Sequence, residues 1–263
     1  MVDKYGIGSR NRMISKRIVT LGTSHGDSTR SRFNSSTLLQ VEDYGFLIDS
    51  GAPVNALMTM GGYSMKSLRA AFITHTHDDH IGGVPGLIKS LTKHHVTAPP
   101  VRFFFPEAEV APALQGWLAV QHRDWETGDV AFDLAHDGVI YTDDNVTVSG
   151  VPTDHLRGEG KSYGYKFDFA DGMRIVFTGD LRHDCSDFPQ LVRNEPCDIC
   201  VTEATHINID TISSILPTCP IKRLIFTHIG NCWHNEGEAK LLEYCRDLPF
   251  PVEIAHDGDV FEC

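Results

Sequence analysis

Residues 74–83 read THTHDDHIGG, which places three histidines and two aspartates within six positions directly behind the apolar run LRAAFI. Imidazoles and carboxylates gathered in a dry site either titrate abnormally or hold a cation, because a buried unpaired charge costs several kcal/mol. On a tight loop after a strand, His75 and His77 alternate to one side and could clamp one ion. Asp79 and His80 could turn toward a second. A lone histidine there would read as a solvated loop residue, but the HxHxDH pattern as a whole does not.

Three more residues of the same chemistry follow: His155 closing NVTVSGVPTDH, Asp180 closing RIVFTGD, and His228 in IKRLIFTHIG. Like His75, each stands where an apolar strand stops. In layered α/β proteins, loops at strand ends converge without disturbing the core, so the four are expected to share one pocket.

The elements that would carry them alternate along the chain. RIVTLGTS reads as a strand running into a polar loop, and STLLQVEDYGFLIDSG as two strands about a turn near Asp43. GGVPGLIKSLTKHH and EAEVAPALQGWLAVQH have helical spacing, with VRFFFP as a strand between them. SYGYKFDFADGMRIVFTGD reads as a hairpin turning at Asp171-Gly172. PCDICVTEATH, IKRLIFTHIG and FPVEIAHDGDVFEC each read as a short strand delivering a polar group at its end. NEGEAKLLEYCRDL is a helix whose apolar face includes Leu241, Leu242 and Cys245.

The chain has 263 residues, enough for one domain spanning 1–263, and no linker or repeat divides it. No apolar run approaches the roughly 18 residues of a membrane span, and the basic N-terminus has no apolar stretch behind it, so a cytoplasmic protein is expected. Seven cysteines, all between Cys185 and Cys263, form no paired framework and fit a reducing compartment. Cys197 and Cys200 in CDIC read as small core residues. A net charge of −12 argues against a broad nucleic-acid surface, although residues 1–32 carry seven Lys/Arg against two Asp.

The sequence resembles the metallo-β-lactamase superfamily, whose motif HxHxDH is followed by a distant His, a bridging Asp and a last His. The resemblance implies an α/β fold, the four-layer αββα metallo-β-lactamase sandwich. It also implies two divalent ions, zinc with manganese or iron as alternatives. His75, His77 and His155 would hold one, Asp79, His80 and His228 the other, with Asp180 and an attacking hydroxide between them. The retained second His of the DH pair and Asp180 itself argue against β-lactam hydrolysis, and His77 argues against the oxygen-reducing members.

A finer resemblance joins LGTSHGDSTRSRFNSSTLL, SYGYKF, TEATH and AHDG to ribonuclease Z and related phosphodiesterases. Two departures count against transfer-RNA processing: Thr202 stands where that group has His before Glu203, and the 25 residues from His155 to Asp180 leave no room for a protruding arm. The expected substrate is therefore a small or cyclic phosphodiester, or a short RNA-derived one. The rivals are a lactone, thioester or other ester hydrolase, and a non-catalytic metal-binding ligand sensor. Expected roles are Asp79 at the metal, a proton donor in His206 oriented by Glu203, or in His256, and a substrate wall of His25, Arg30 and Arg32. Asp78 is expected behind the ligands. His94, His95, His122, His136, His183 and His234 fit no ligand spacing, and a homodimer is a possibility that the sequence leaves open.

Overall fold

In a computed structural model of the chain, which describes residues 13–94, 99–123 and 128–263, two sheets lie face to face with helices outside. The first sheet is built from β1 (Lys16–Gly22), β2 (Ser36–Val41), β3 (Tyr44–Ile48), β4 (Leu68–Phe72), β5 (Val101–Phe105) and β6 (Val130–Leu134). The second holds β7 (Gly138–Thr142), β8 (Val146–Thr153), β9 (Ser162–Phe169), β10 (Arg174–Phe177), β11 (Ile199–Ala204), β12 (Leu224–Ile229) and β13 (Val252–Ile254). A last strand, β14 (Val260–Glu262), returns to pair with β1 at the edge of the first sheet. Each sheet is antiparallel through its hairpins and parallel where the helical crossovers enter.

Period-two patterning places the core. Along β5, Phe103 and Phe105 face outward against helices while Phe104 faces the opposite sheet. Between the sheets, Phe46, Phe72 and Phe104 pack against Tyr165, Phe167 and Ile225. Each such burial is worth roughly 1.5–3 kcal/mol. The outer layers are α1 (Val54–Met60), α2 (Asp78–Ile81), α3 (Val84–His94) and α4 (Val110–Val120) beside the first sheet, and α5 (Gln190–Asn194), α6 (Ile209–Ile215) and α7 (Glu236–Tyr244) beside the second. This is the αββα sandwich that the resemblance implied.

Several expectations need correction. The run 250–263 is two strands in two sheets, joined through Ala255–Asp259, because β13 continues the parallel register of β12 and the chain then crosses to β1. Leu242 is 41% exposed while Leu241 is fully buried, since one residue turns a helix by about 100°. α4 starts at Val110, with Pro112 in the first turn, where its missing N–H costs nothing. His95 lies outside the described residues. Cys197 and Cys200 are buried and free, as packing residues should be. Among the described residues no helix is long and apolar enough to cross a membrane.

Glycines let the HxHxDH loop sit against the sheet. A Cβ on Gly51 would lie 2.2 Å from the Asp79 carbonyl oxygen, and one on Gly83 would lie 2.6 Å from that of Ser50. The two backbones therefore touch directly, with Ser50 N–H donating to the His80 carbonyl and Gly83 N–H to the Ser50 carbonyl.

Candidate metal centre

The seven expected ligands come from five segments and meet at one end of the sandwich. His75 and His77 lie beyond β4, Asp79 and His80 in α2, His155 beyond β8, Asp180 beyond β10, and His228 near the end of β12. Their donor atoms form the groups His75–His77–His155 and Asp79–His80–His228, each with all atoms within 4.8 Å of one another. Asp180 is central: its Oδ2 lies 3.3 Å from Nε2 of His228, 3.4 Å from that of His80, and 3.8 Å from those of His75 and His155.

The surroundings orient the rings. His80 Nδ1 donates to Asp49 Oδ2 at 2.7 Å, His228 Nδ1 to the Ser24 carbonyl at 2.8 Å, and His155 Nδ1 to the Leu181 carbonyl at 3.2 Å. His75 Nδ1 meets Thr74 Oγ1 at 3.1 Å. Fixing Nδ1 aims Nε2 inward, where the neutral ring presents a lone pair. The Nε2 atoms of His75, His80, His155 and His228 and both Asp180 carboxylate oxygens are buried with no hydrogen-bond partner among the described residues. Six orphaned donor atoms converging in a dry site fit divalent cations of the kind that favour nitrogen and carboxylate oxygen.

The charge states agree. Burial, with the neighbouring His80, drives His75 well below the usual imidazole range, and burial lowers His77 too, so both rings are neutral and able to ligate. Burial opposes ionisation of Asp180, yet the charges of His228 and His80 outweigh it and hold the carboxyl far below its ordinary value. His80, despite its burial, is raised well above the usual range by Asp180 and Asp49.

Beside this cluster, Glu203 is 2% exposed and anchors His206. Its Oε1 accepts from Leu181 N, and Oε2 from Thr205 N, His206 N and, at 3.0 Å, His206 Nδ1. Burial lowers the His206 pKa, but the bond to Glu203 and the charges of Glu203 and Asp180 push it up to about 9. Its ring centroid is 4.6 Å from that of His155. Thr202 has the opposite strand parity, among the outward residues Cys200 and Ala204, and accepts from Thr178 Oγ1.

The other expected residues lie elsewhere. Arg32 is not a phosphate contact: it is 2% exposed, and its guanidinium donates to Thr23 Oγ1, the Ala255 carbonyl and Glu238. Burial had no signature in its sequence. Arg30 is exposed and lines a groove of about 270 Å³ with Met60 and Tyr63, which holds none of the expected ligands. His256 has both ring nitrogens beside carboxylates, Glu238 at 2.9 Å and Asp259 at 3.4 Å, and joins no ligand group. Asp78 is exposed rather than behind the ligands. His25 is half-buried next to Ser24, with its ring 5.8 Å from that of His234.

Residues that the sequence reading missed hold the site together. Asp49, 3% exposed, orients His80 and ends the apolar strand FLID; the strand-end rule applied to His75 would have found it. Asp257, next to His256, accepts from Thr23 N, Thr23 Oγ1 and Phe33 N, and so ties down the loop behind His228. His183, set aside earlier, meets the His206 carbonyl at 2.8 Å.

This architecture is the metallo-β-lactamase fold, which implies divalent-metal binding, its histidine–aspartate cluster could hold such ions, and its sequence is similar to ribonuclease Z. Its solved relatives include the metallo-β-lactamase fold protein YhfI from Bacillus subtilis, with a TM-score of 0.75 at 19% identity, covering 95% of this chain and all of that one. Ribonuclease Z of Thermobifida fusca is 30% identical over 165 residues, 62% of this chain and 50% of that protein. The chain thus spans about half the length of that relative. A family profile described as Anti-Pycsar protein Apyc1 matches residues 16–241, and the Apyc1 protein of Saccharibacillus brassicae is 32% identical over 195 residues, 70% of this chain and 78% of that one. The chain belongs to the Anti-Pycsar protein Apyc1 family.

Proposed function

We propose that the chain is a dinuclear metal-dependent phosphodiesterase acting on a small or cyclic phosphodiester. The observation that carries this reading is Asp180 Oδ2 standing within 3.8 Å of four inward-facing imidazole nitrogens, between two ligand groups. His75, His77 and His155 would hold one ion, Asp79, His80 and His228 a second, and Asp180 would touch both; zinc suits this donor set, with manganese or iron as alternatives. When bound, such ions polarise a phosphoryl oxygen and lower the pKa of an attacking water toward about 7.

The protein's own groups would then handle the leaving side. Glu203 holds His206 Nδ1, which leaves Nε2 to donate a proton to the departing alkoxide. A pKa of about 9 keeps that proton in place at neutral pH.

The ribonucleases named among the relatives act on RNA, which supports a phosphodiester bond. Substrate size follows from this chain: the stretch between His155 and Asp180 is taken up by β9 and β10, and the cleft beside His77 is lined by Glu107, Glu109 and Glu159 against one cation, Lys161. An acidic wall repels a long polyanion. Turnover of bis(p-nitrophenyl) phosphate and of cyclic nucleotides that stops with chelator and returns with zinc or manganese tests the reading. Faster opening of lactones or thioesters would replace the substrate class, and metal-loaded protein inert on all of them would make it a sensor. A homodimer remains a separate proposal, tested by the solution mass of the metal-loaded protein.

A further inference from the structure

The facing surfaces of the two sheets are apolar for most of their length and turn polar behind the metal centre. On β11 the inward residues Ile199 and Val201 lead to Glu203; on β12 Ile225 leads to Thr227, the register partner of Glu203. On the opposite sheet, Thr37 of β2 pairs with Ile48. Between them lies a cavity of about 30 Å³, with Ser35 and Thr37 on one wall and Glu203 and Thr227 on the other. His80, Asp180 and His228 close the side toward the centre.

Thr227 Oγ1 is fully enclosed yet has no hydrogen-bond partner among the described residues. Glu203 does not bond to it: its carboxylate accepts from Leu181, Thr205 and His206 instead. A bound water needs roughly 10–15 Å³ and two to four polar partners, and this cavity supplies the space twice over together with hydroxyls from both sheets. Thr227 also precedes His228, whose φ of 49° is a strained conformation for a residue with a side chain. Whatever holds Thr227 therefore helps to hold a ligand.

We propose that this cavity is a permanent water site, in which one or two waters bind between Thr227 of β12 on one side and Ser35, just before β2, and Thr37 of β2 on the other, and brace the metal-facing ends of the two sheets. Thr227 is a positioning residue, acting on the centre through His228. The site does not depend on which substrate the protein takes.

The test compares the zinc-loaded protein with Thr227→Val, which keeps the shape and deletes the hydroxyl, and Thr227→Ser, which keeps the hydroxyl. High-resolution crystal structures should show water bonded to residue 227 in the parent and in Thr227→Ser, and not in Thr227→Val. Zinc affinity, read by chelator competition, should fall three- to tenfold in Thr227→Val and be restored in Thr227→Ser. A parent cavity that is dry, or that takes up xenon under pressure, overturns the proposal. So does unchanged zinc affinity in Thr227→Val, or an equal loss in Thr227→Ser. If Thr227→Val does not fold, the parent and Thr227→Ser structures still decide it.

Discussion

Asp49 offers a sharp perturbation because its two oxygens serve three buried donors, from Thr74 and His80, at once. Oδ1 accepts Thr74 N–H at 2.8 Å, while Oδ2 accepts His80 Nδ1–H at 2.7 Å and Thr74 Oγ1 at 3.0 Å. Asn at this position has one acceptor oxygen. If it keeps the Thr74 amide, its NH₂ faces His80 Nδ1, and the imidazole proton must move to Nε2, the atom 3.4 Å from both Asp79 and Asp180. A proton there blocks ligation. If the amide flips, Thr74 N–H is buried against a donor, at a cost of about 1–3 kcal/mol. Loss of such an orienting carboxylate weakens metal binding about 10–100-fold, which is about 1.4–2.7 kcal/mol. Asp49→Asn is therefore expected to bind zinc 10–100-fold more weakly in competition with a chromophoric chelator, with the ion held by Asp79, His80 and His228 released first. Unchanged affinity for every bound ion would refute the reasoning, because it would mean that His80 needs no partner to present Nε2.

Four further outcomes are expected. Because His80 is held protonated in the metal-free state, its pKa raised by Asp180 and Asp49 against the effect of burial, metal loading near pH 7 should release protons; calorimetry in buffers of different ionisation enthalpy measures this, and a heat independent of buffer would contradict it. His206→Gln should slow hydrolysis of a cyclic nucleotide, whose alkoxide needs a proton, by about 10²–10⁴-fold, but that of bis(p-nitrophenyl) phosphate far less, since nitrophenolate leaves unaided; equal losses would remove His206 from the proton-donor role. The acid form of His206, raised to about 9, is lost as pH climbs through that value, so kcat for alkoxide leaving groups should fall above about pH 9, a limb that a pH–rate profile of His206→Gln should lack. Arg32→Ala should lower stability by about 2–3 kcal/mol, since it removes the buried guanidinium's bonds to Thr23 Oγ1, the Ala255 carbonyl and Glu238, and leaves Glu238 only His256. KM for bis(p-nitrophenyl) phosphate in that variant should stay within about twofold of the parent, whereas a large rise would return Arg32 to the substrate wall.

The convergence of the histidine–aspartate cluster was legible in the sequence because strand endings mark themselves: His75, His155, Asp180 and His228 each interrupt a run of β-forming apolar residues with a polar group. The groups that orient them were less legible for two different reasons. Asp49 follows the same rule at the end of FLID but has no histidine motif beside it, whereas the Ser24 and Leu181 carbonyls belong to the backbone, where residue type carries no signal. Arg32 failed in the other direction, since an arginine in a serine-rich loop reads as solvated and only the fold shows Glu238 and Asp257 closing over that loop. The segment 250–263 reads as a single short strand ending in a polar group, but pattern does not say which sheet a strand joins, and here two short strands join different ones.

The measurement that bears most directly on the dinuclear reading is anomalous diffraction at the zinc edge from crystals of the zinc-loaded protein, paired with elemental analysis of the same sample. Two ions per chain are expected, about 3.5–4 Å apart, one on His75, His77 and His155, the other on Asp79, His80 and His228, with Asp180 touching both. A single ion at saturating zinc, or two ions of which Asp180 touches only one, would contradict it.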